Sequence, residues 1–243
     1  MRYSSKDTVL LIDGYNVLGA MTDLTHAAEA LTEETTGLGD SWEEHEYVGL
    51  QRAEISQSGF YDDASLSVNE AFSSKEGNKR VVCFGIEGNT AGKAFVGLSG
   101  ALETRLDRIA SAKELHKVNV TYVVSGKSED GKLLLALSDQ DADGDTESAP
   151  IDNDAASING ADLYLQVTAL DLDGADNLTV KVRSSTDGVT WSDLDTFTAV
   201  TTAPAAEMKI KTGTIPQYLA VAWEFTGTST DPSATFLVGV VRL

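Results

Sequence analysis

Apolar and polar side chains alternate with a period of two through the last third of the chain. Leu163, Leu165 and Val167 alternate with Tyr164, Gln166 and Thr168, which sets one apolar row on one face of a strand. Leu178, Val180 and Val182 repeat the pattern against Thr179, Lys181 and Arg183. Asp187-Gly188 then offers the turn chemistry of a tight hairpin, with Trp191 on the return strand. Met208 and Ile210, then Leu219, Val221, Trp223 and Phe225, then Phe236, Val238 and Val240 give the later rows. Short strands in series with no helical period predict an antiparallel β-sandwich, Ig-like or jelly-roll-like, over residues 158–243.

The first 138 residues are mixed but mostly β in pattern. Thr8–Asp13, Lys79–Glu87, Gly92–Leu102 and Lys117–Ser125 read as strands rich in β-branched residues. A short helix is predicted at Asp63–Ser73, where Leu66, Val68 and Phe72 fall near helical spacing behind a capping Asp62 or Asp63. Leu24–Tyr47 is ambiguous. Ala27, Ala28, Ala30 and Leu31 suit a helix, whereas Thr32, Thr35, Thr36, Gly37 and Gly39 suit a strand running into a long loop.

Charge changes this picture at one place. The chain has 243 residues and a formal net charge of −20, from 38 acidic and 18 basic side chains. Residues 139–157 (DQDADGDTESAPIDNDAAS) hold seven of those acids and no base, so the segment reads as a solvated linker between two domains. A hydrophobic content of 42% supports real cores and excludes wholesale disorder. The strong acidity disfavours binding to phosphate backbones or anionic membranes. The longest apolar run near the N-terminus, Val9–Ile12, suits neither a signal peptide nor a spanning helix, so a cytosolic site of synthesis is expected.

Candidate chemistry is sparse. Cys83 is the one cysteine, which excludes internal disulfides, and its setting in VVCFGI suits an inert core thiol. His26, His45 and His116 have no ligand spacing, and no G-x-S-x-G elbow or phosphate loop occurs. Asp139, Asp141, Asp143 and Asp145, with Gly144, match the opening of an EF-hand calcium loop. Its twelfth position is Pro150 rather than glutamate, so the acidic-linker reading is preferred and no metal or cofactor is expected. Glu33/Glu34 and Glu43/Glu44 are sequence neighbours that point to opposite faces of a strand, not an acid–base pair. Trp42, in a charged loop, is either folded onto its own core or buried in a partner.

A resemblance covers about residues 5–138. It rests on the order of LLIDGYNVLGAMTDL, the threonine-rich ALTEETTGLGDSWEEH, SGFYDD, the short helix ASLSVNEAF, VVCFGIEGNTAGKAFVG, and a terminal hairpin KVNVTYVVSGKSEDGKLLLAL. In this arrangement the chain resembles the tail tube proteins of long non-contractile bacteriophage and related tailed viruses. The resemblance implies a mainly β fold, with an N-terminal β-barrel or sandwich bearing one short helix and an appended C-terminal sandwich on the tube exterior. It implies a non-enzymatic virion protein, assembled in the host cytoplasm. Hexameric rings of it would stack into a hollow tube around a tape measure protein, with tail terminator and tail-tip proteins at the ends. DNA would pass through the lumen without specific binding, and no membrane is involved.

The resemblance further implies that a long loop between early strands contacts a neighbouring subunit or ring. By position its contact residues here are Thr35, Thr36, Leu38, Asp40, Trp42, Glu43 and Tyr47. Acidity along the lumen would keep DNA from sticking; solubility or a high-salt host explains the same charge. The alternative is a β-sandwich adhesin that binds a glycan near STDGVTW, with Tyr164 and Tyr218 as its outward aromatics.

Overall fold

A computed structural model describes residues 8–36, 41–43, 45–73, 75–124 and 128–243. Leu38 and Asp40 lie outside the described residues. The early strands are β1 (Val9–Ile12), β2 (Tyr15–Asn16), β3 (Met21–Glu34), β4 (His45–Phe60), β5 (Lys79–Gly85), β6 (Ala94–Ser111), β7 (Glu114–Val124) and β8 (Ser128–Gln140). They are followed by β9 (Gly144–Asp145), β10 (Ile151–Asp152), β11 (Ala161–Asp171), β12 (Ala175–Ser185) and β13 (Ser192–Thr196). The last are β14 (Ala205–Lys211), β15 (Tyr218–Gly227) and β16 (Ser233–Arg242). The one α-helix among the described residues is α1 (Val68–Phe72). The fold is mainly β, as the alternation predicts.

The C-terminal rows form a sandwich. One layer runs β14-β11-β16-β8 and the other β10-β15-β12-β13, with β9 also against β15. Leu163, Leu165 and Val167 face Val180, Val182 and Val221 in a shared core, where Trp223 meets Phe236 edge-on at 5.8 Å. Each of these strands places alternate residues inward, so the period of two is the direct cause of the buried row.

Residues 139–157 differ from the expectation of a wholly solvated linker. Their backbone supplies β9 and β10 as partners to β15, while most of their carboxylates stay in water. Gly144 permits this, because a Cβ there would meet the Trp223 ring at 2.6 Å. The Trp223 indole N–H in turn donates to the Ala142 carbonyl at 2.8 Å.

β6 is the junction of the N-terminal half. Its first part pairs with β5 and β8, and its second part with β7. The expected hairpin of β7 with β8 is therefore not formed: both flank β6, one on each half, and β8 continues onto β16. From β7 the sheet runs on through β4 to β3. β6 extends to Ser111, well past the expected Leu102, because the run after Leu102 stays paired with β7, with Glu103 buried and most of the later side chains in solvent. α1 starts later than expected. Leu66 takes φ 60°, and Asp62 holds the preceding turn by accepting from Ala64 N, Ser67 Oγ and Asn69 N.

A third core joins the two halves. Val9, Leu11, Cys83 and Phe95 pack with Leu133, Tyr164, Leu237 and Val241. Gln166 on β11 reaches across it, accepting from Gly14 N and donating to the Val81 carbonyl at 2.9 Å. Gly14, at φ 84°, is required there: a Cβ would lie 2.5 Å from Ala205 N and 2.6 Å from the Val167 carbonyl.

Candidate assembly interface

β3 and β4 pair from Met21 opposite Gly59 to Glu34 opposite His45, with register shifts between Met21 and Asp23 and between Ala30 and Thr32. Burial stops part-way. On β4, Ala53, Ile55, Gln57 and Gly59 face the core in alternation, but no residue of β3 is fully buried. From Ala27 to Glu34 every β3 side chain except the half-buried Leu31 is exposed, and past Ala28, opposite the buried Ala53, β3 leaves the body as an arm. At about 3.4 Å per residue, the six residues Glu29–Glu34 carry the tip roughly 20 Å beyond the last pair of β4 with β7, Glu54 opposite Val123.

The ambiguity of Leu24–Tyr47 is thus resolved as strand and hairpin. The alanines form no helix because cross-strand hydrogen bonds satisfy the backbone here without any packed face. Trp42 at the tip is 83% exposed and Tyr47 is 54% exposed, so Trp42 is not folded onto its own core. Glu43 pairs with His45 at 3.2 Å, and Thr35 and Thr36 follow the end of β3 as exposed residues. The arm brings Thr35, Thr36, Trp42, Glu43 and Tyr47 to one tip.

The sheet β3-β4-β7-β6 has two open edges. Among the described residues β3 pairs with β4 alone. At the other side, β6 beyond Glu103, whose carbonyl accepts from Gly77 N, pairs only with β7. Register places Glu29, Arg52, Glu54, Arg105 and Asp107 on the face turned away from the core. Arg52 lies 3.1 Å from Glu54 and 4.0 Å from Glu29, and Arg105 lies 2.7 Å from Asp107. Charges on this face are therefore largely paired.

Three of the four aspartates of the calcium-like motif accept hydrogen bonds in and around the sandwich. Asp139 Oδ1 accepts from Thr235 Oγ1 at 3.3 Å, Asp143 Oδ1 from Phe225 N at 2.7 Å, and Asp145 Oδ1 from Glu147 N at 2.8 Å. Asp141 is exposed. Among the described residues no group of three or more His, Cys, Asp or Glu side chains is arranged to hold a metal ion. Tyr164, expected to face outward, is 1% exposed and packs edge-on against Phe95 at 5.6 Å. The reason is that the second face of β11 covers the N-terminal half instead of meeting water.

No family model matches the chain, and no curated protein matches it. Among solved structures it is similar to a chain of the tail of an empty gene transfer agent particle with C6 symmetry. That match has 16% identity and a TM-score of 0.40, covering 52% of this chain and 97% of that one. It is also similar to a chain of the sheath–tube complex of an extracellular contractile injection system, at 11% identity and a TM-score of 0.40, over 53% and 90%. The third is the SPP1 phage hub protein Dit, at 11% identity and a TM-score of 0.33, over 97% and 99%. Likeness at this level does not reach to role, partners or location.

One buried constellation escapes local sequence patterns. Arg80, fully buried, donates to Asp13, to Glu103 Oε2 at 2.9 Å and to the Ala71 carbonyl at 2.8 Å, tying α1 to β1 and β6. Two carboxylates thus share one guanidinium, and Glu103 Oε1 has no hydrogen-bond partner. Burial outweighs the pull of Arg80 and pushes the Glu103 carboxyl up to about 7. In sequence Asp13 is only the last residue of the predicted strand Thr8–Asp13, and the fold brings it to Arg80, which also holds Glu103. Cys83 is an inert thiol, pushed up to about 12 by burial.

Proposed function

We propose that the chain is a structural subunit of a viral tail, and that copies join edge to edge into a ring around a channel. The observation that carries this reading is the four-stranded sheet β3-β4-β7-β6 with both outer edges open. Open edges template pairing with another chain, and closure into a barrel removes them. The sheet suits closure because it holds an even number of antiparallel strands. β6 of one copy then meets β3 of the next in antiparallel sense, and the alternation continues around the ring.

The finer reading follows the sequence resemblance. Six copies form each ring, and rings stack into the hollow tail tube of a virion assembled in the host cytoplasm. The face with paired Arg52–Glu54 and Arg105–Asp107 lines the channel, so DNA passes without specific binding. Partners are further copies, a tape measure protein within, and terminator and tip proteins at the ends. Residues 1–138 form the tube-building domain, 139–157 the acidic connection, and 158–243 a sandwich on the exterior. Thr35, Thr36, Leu38, Asp40, Trp42, Glu43 and Tyr47 make subunit contacts. The role is structural, not enzymatic.

Negative-stain electron microscopy of the full-length protein, with light scattering on the same sample, tests this. Rings or tubes with a central channel are expected. A monomer that also fails to join pre-formed tail-tip complexes would overturn the reading.

A further inference from the structure

The two ends of the four-stranded sheet carry opposite charge. The described residues at the end of the arm, 32–36, 41–43 and 45–47, hold four acidic side chains and no lysine or arginine. Residues 105–117, which form the second part of β6, its turn and the start of β7, contain four basic side chains against two acidic ones. On a chain of net charge −20 such a local excess of bases runs against the average.

Register fixes where these two stretches lie. Phe60 stands opposite Lys117, and Met21 opposite Gly59, so the turn between β6 and β7 is at the base of the arm. The acidic tip is at the other extreme, past Glu34 and His45. A strand rise of about 3.4 Å per residue puts the ends roughly 45 Å apart, several Debye lengths at physiological salt. One copy therefore cannot satisfy its own two ends.

The basic end is shaped as well as charged. A groove of about 260 Å³ is lined by Tyr61, Arg108, Ile109, Ala110, His116 and Lys117. Arg108 donates to neutral oxygens, Ser73 Oγ at 2.7 Å and Asn69 Oδ1 at 3.4 Å, so these bonds leave its charge uncancelled. Lys117 is partly offset by Glu114 at 2.9 Å, while Lys113 beside it is exposed. Leu115, 70% exposed, and Ile109 add apolar surface. The acidic tip answers in kind, with exposed Glu33, Glu34, Glu43 and Glu46 around the exposed rings of Trp42 and Tyr47.

We propose that this basic groove receives the acidic, aromatic arm tip of a second copy. The contact is head-to-tail along the strand direction. A heterologous contact that advances along the strand direction does not return on itself, so it propagates as a stack. Charge pairing guides the approach and fixes polarity, while Trp42 and Leu115 supply desolvated contact area. The inference rests on the proposed subunit role and adds to it the surface that joins one layer to the next.

Carbodiimide cross-linking of an equal mixture of ¹⁴N- and ¹⁵N-labelled full-length protein tests it. Mixed-isotope links from Lys113 or Lys117 to Glu33, Glu34, Glu43 or Glu46 are expected. If other lysines cross-link between copies and these do not, the proposal is wrong. Microscopy of the same sample separates the two ideas: rings without these links contradict the groove alone, and these links without rings contradict the ring reading alone. As a second measurement, Lys113→Glu/Lys117→Glu should cut stacking at least tenfold while leaving single rings. Adding Glu33→Lys/Glu34→Lys to the same chain should restore it. Wild-type stacking by the first variant would overturn the proposal.

Discussion

β11 and β3 are both long antiparallel strands, and they meet opposite fates. In β11 the seven residues Ala161–Val167 are all buried, since one face fills the sandwich and the other covers the N-terminal half. In β3 no residue is fully buried, and the outer edge has no strand beside it among the described residues. Burial of apolar surface stabilises β11 within one chain. Met21 and Leu24 at the start of β3 pack on the core and His26 meets Phe84 edge-on at 6.0 Å, but from Glu29 onward the strand rests on its pairing with β4, which is marginal for an isolated hairpin in water. In the proposed reading, the completion of so long an unsupported hairpin lies in another copy.

The largest expected effect lies on the β11 side. Phe236→Ala empties a fully buried site in the sandwich and should cost about 3–5 kcal/mol in urea unfolding. Next comes the pH dependence of the N-terminal core. Glu103 keeps its proton in the folded state up to about 7, whereas the unfolded group ionises near its ordinary 4.5. The folded state therefore binds more protons in that window, and its contribution to stability falls as pH rises from 4.5 to 7, by about 3 kcal/mol. Unfolding curves of the wild type and Glu103→Gln across pH 4–8 should diverge by that amount; parallel curves would remove the buried-carboxyl account.

Gly14→Ala probes the seam between the halves. The new methyl meets backbone atoms at 2.5 and 2.6 Å in a left-handed conformation, so a loss of about 2 kcal/mol is expected, read as a lower Tm. Trp42→Ala is the smallest for folding, within about 0.5 kcal/mol, because the ring touches water. In the proposed reading its effect belongs to assembly, where the loss of such an anchor should cost about 2 kcal/mol in light-scattering titrations. An equal loss of folding stability would erase the contrast between the two strands.

The sandwich was legible because each strand declares one buried face by alternation, as in Leu163–Val167 and Leu219–Phe225. That both faces of β11 are covered was not legible, since Tyr164, Gln166 and Thr168 look like a solvent row until Phe95 of β6 packs on Tyr164 and β5 bonds Gln166. The arm was half legible. Its threonines suggested extension, but a strand without a core has no apolar period to find. The Arg80–Asp13–Glu103 cluster joins residues 67 and 23 positions apart, a distance that no local pattern spans.

Amide hydrogen exchange over Met21–Glu34, compared between dilute protein and concentrated protein fractionated by size, tests the open edge most directly. The account predicts that β3 amides not bonded to β4 exchange fast in the monomer and at least tenfold more slowly in the assembled fraction. Equal exchange in both fractions, with protection appearing elsewhere, would show that copies join by some other surface.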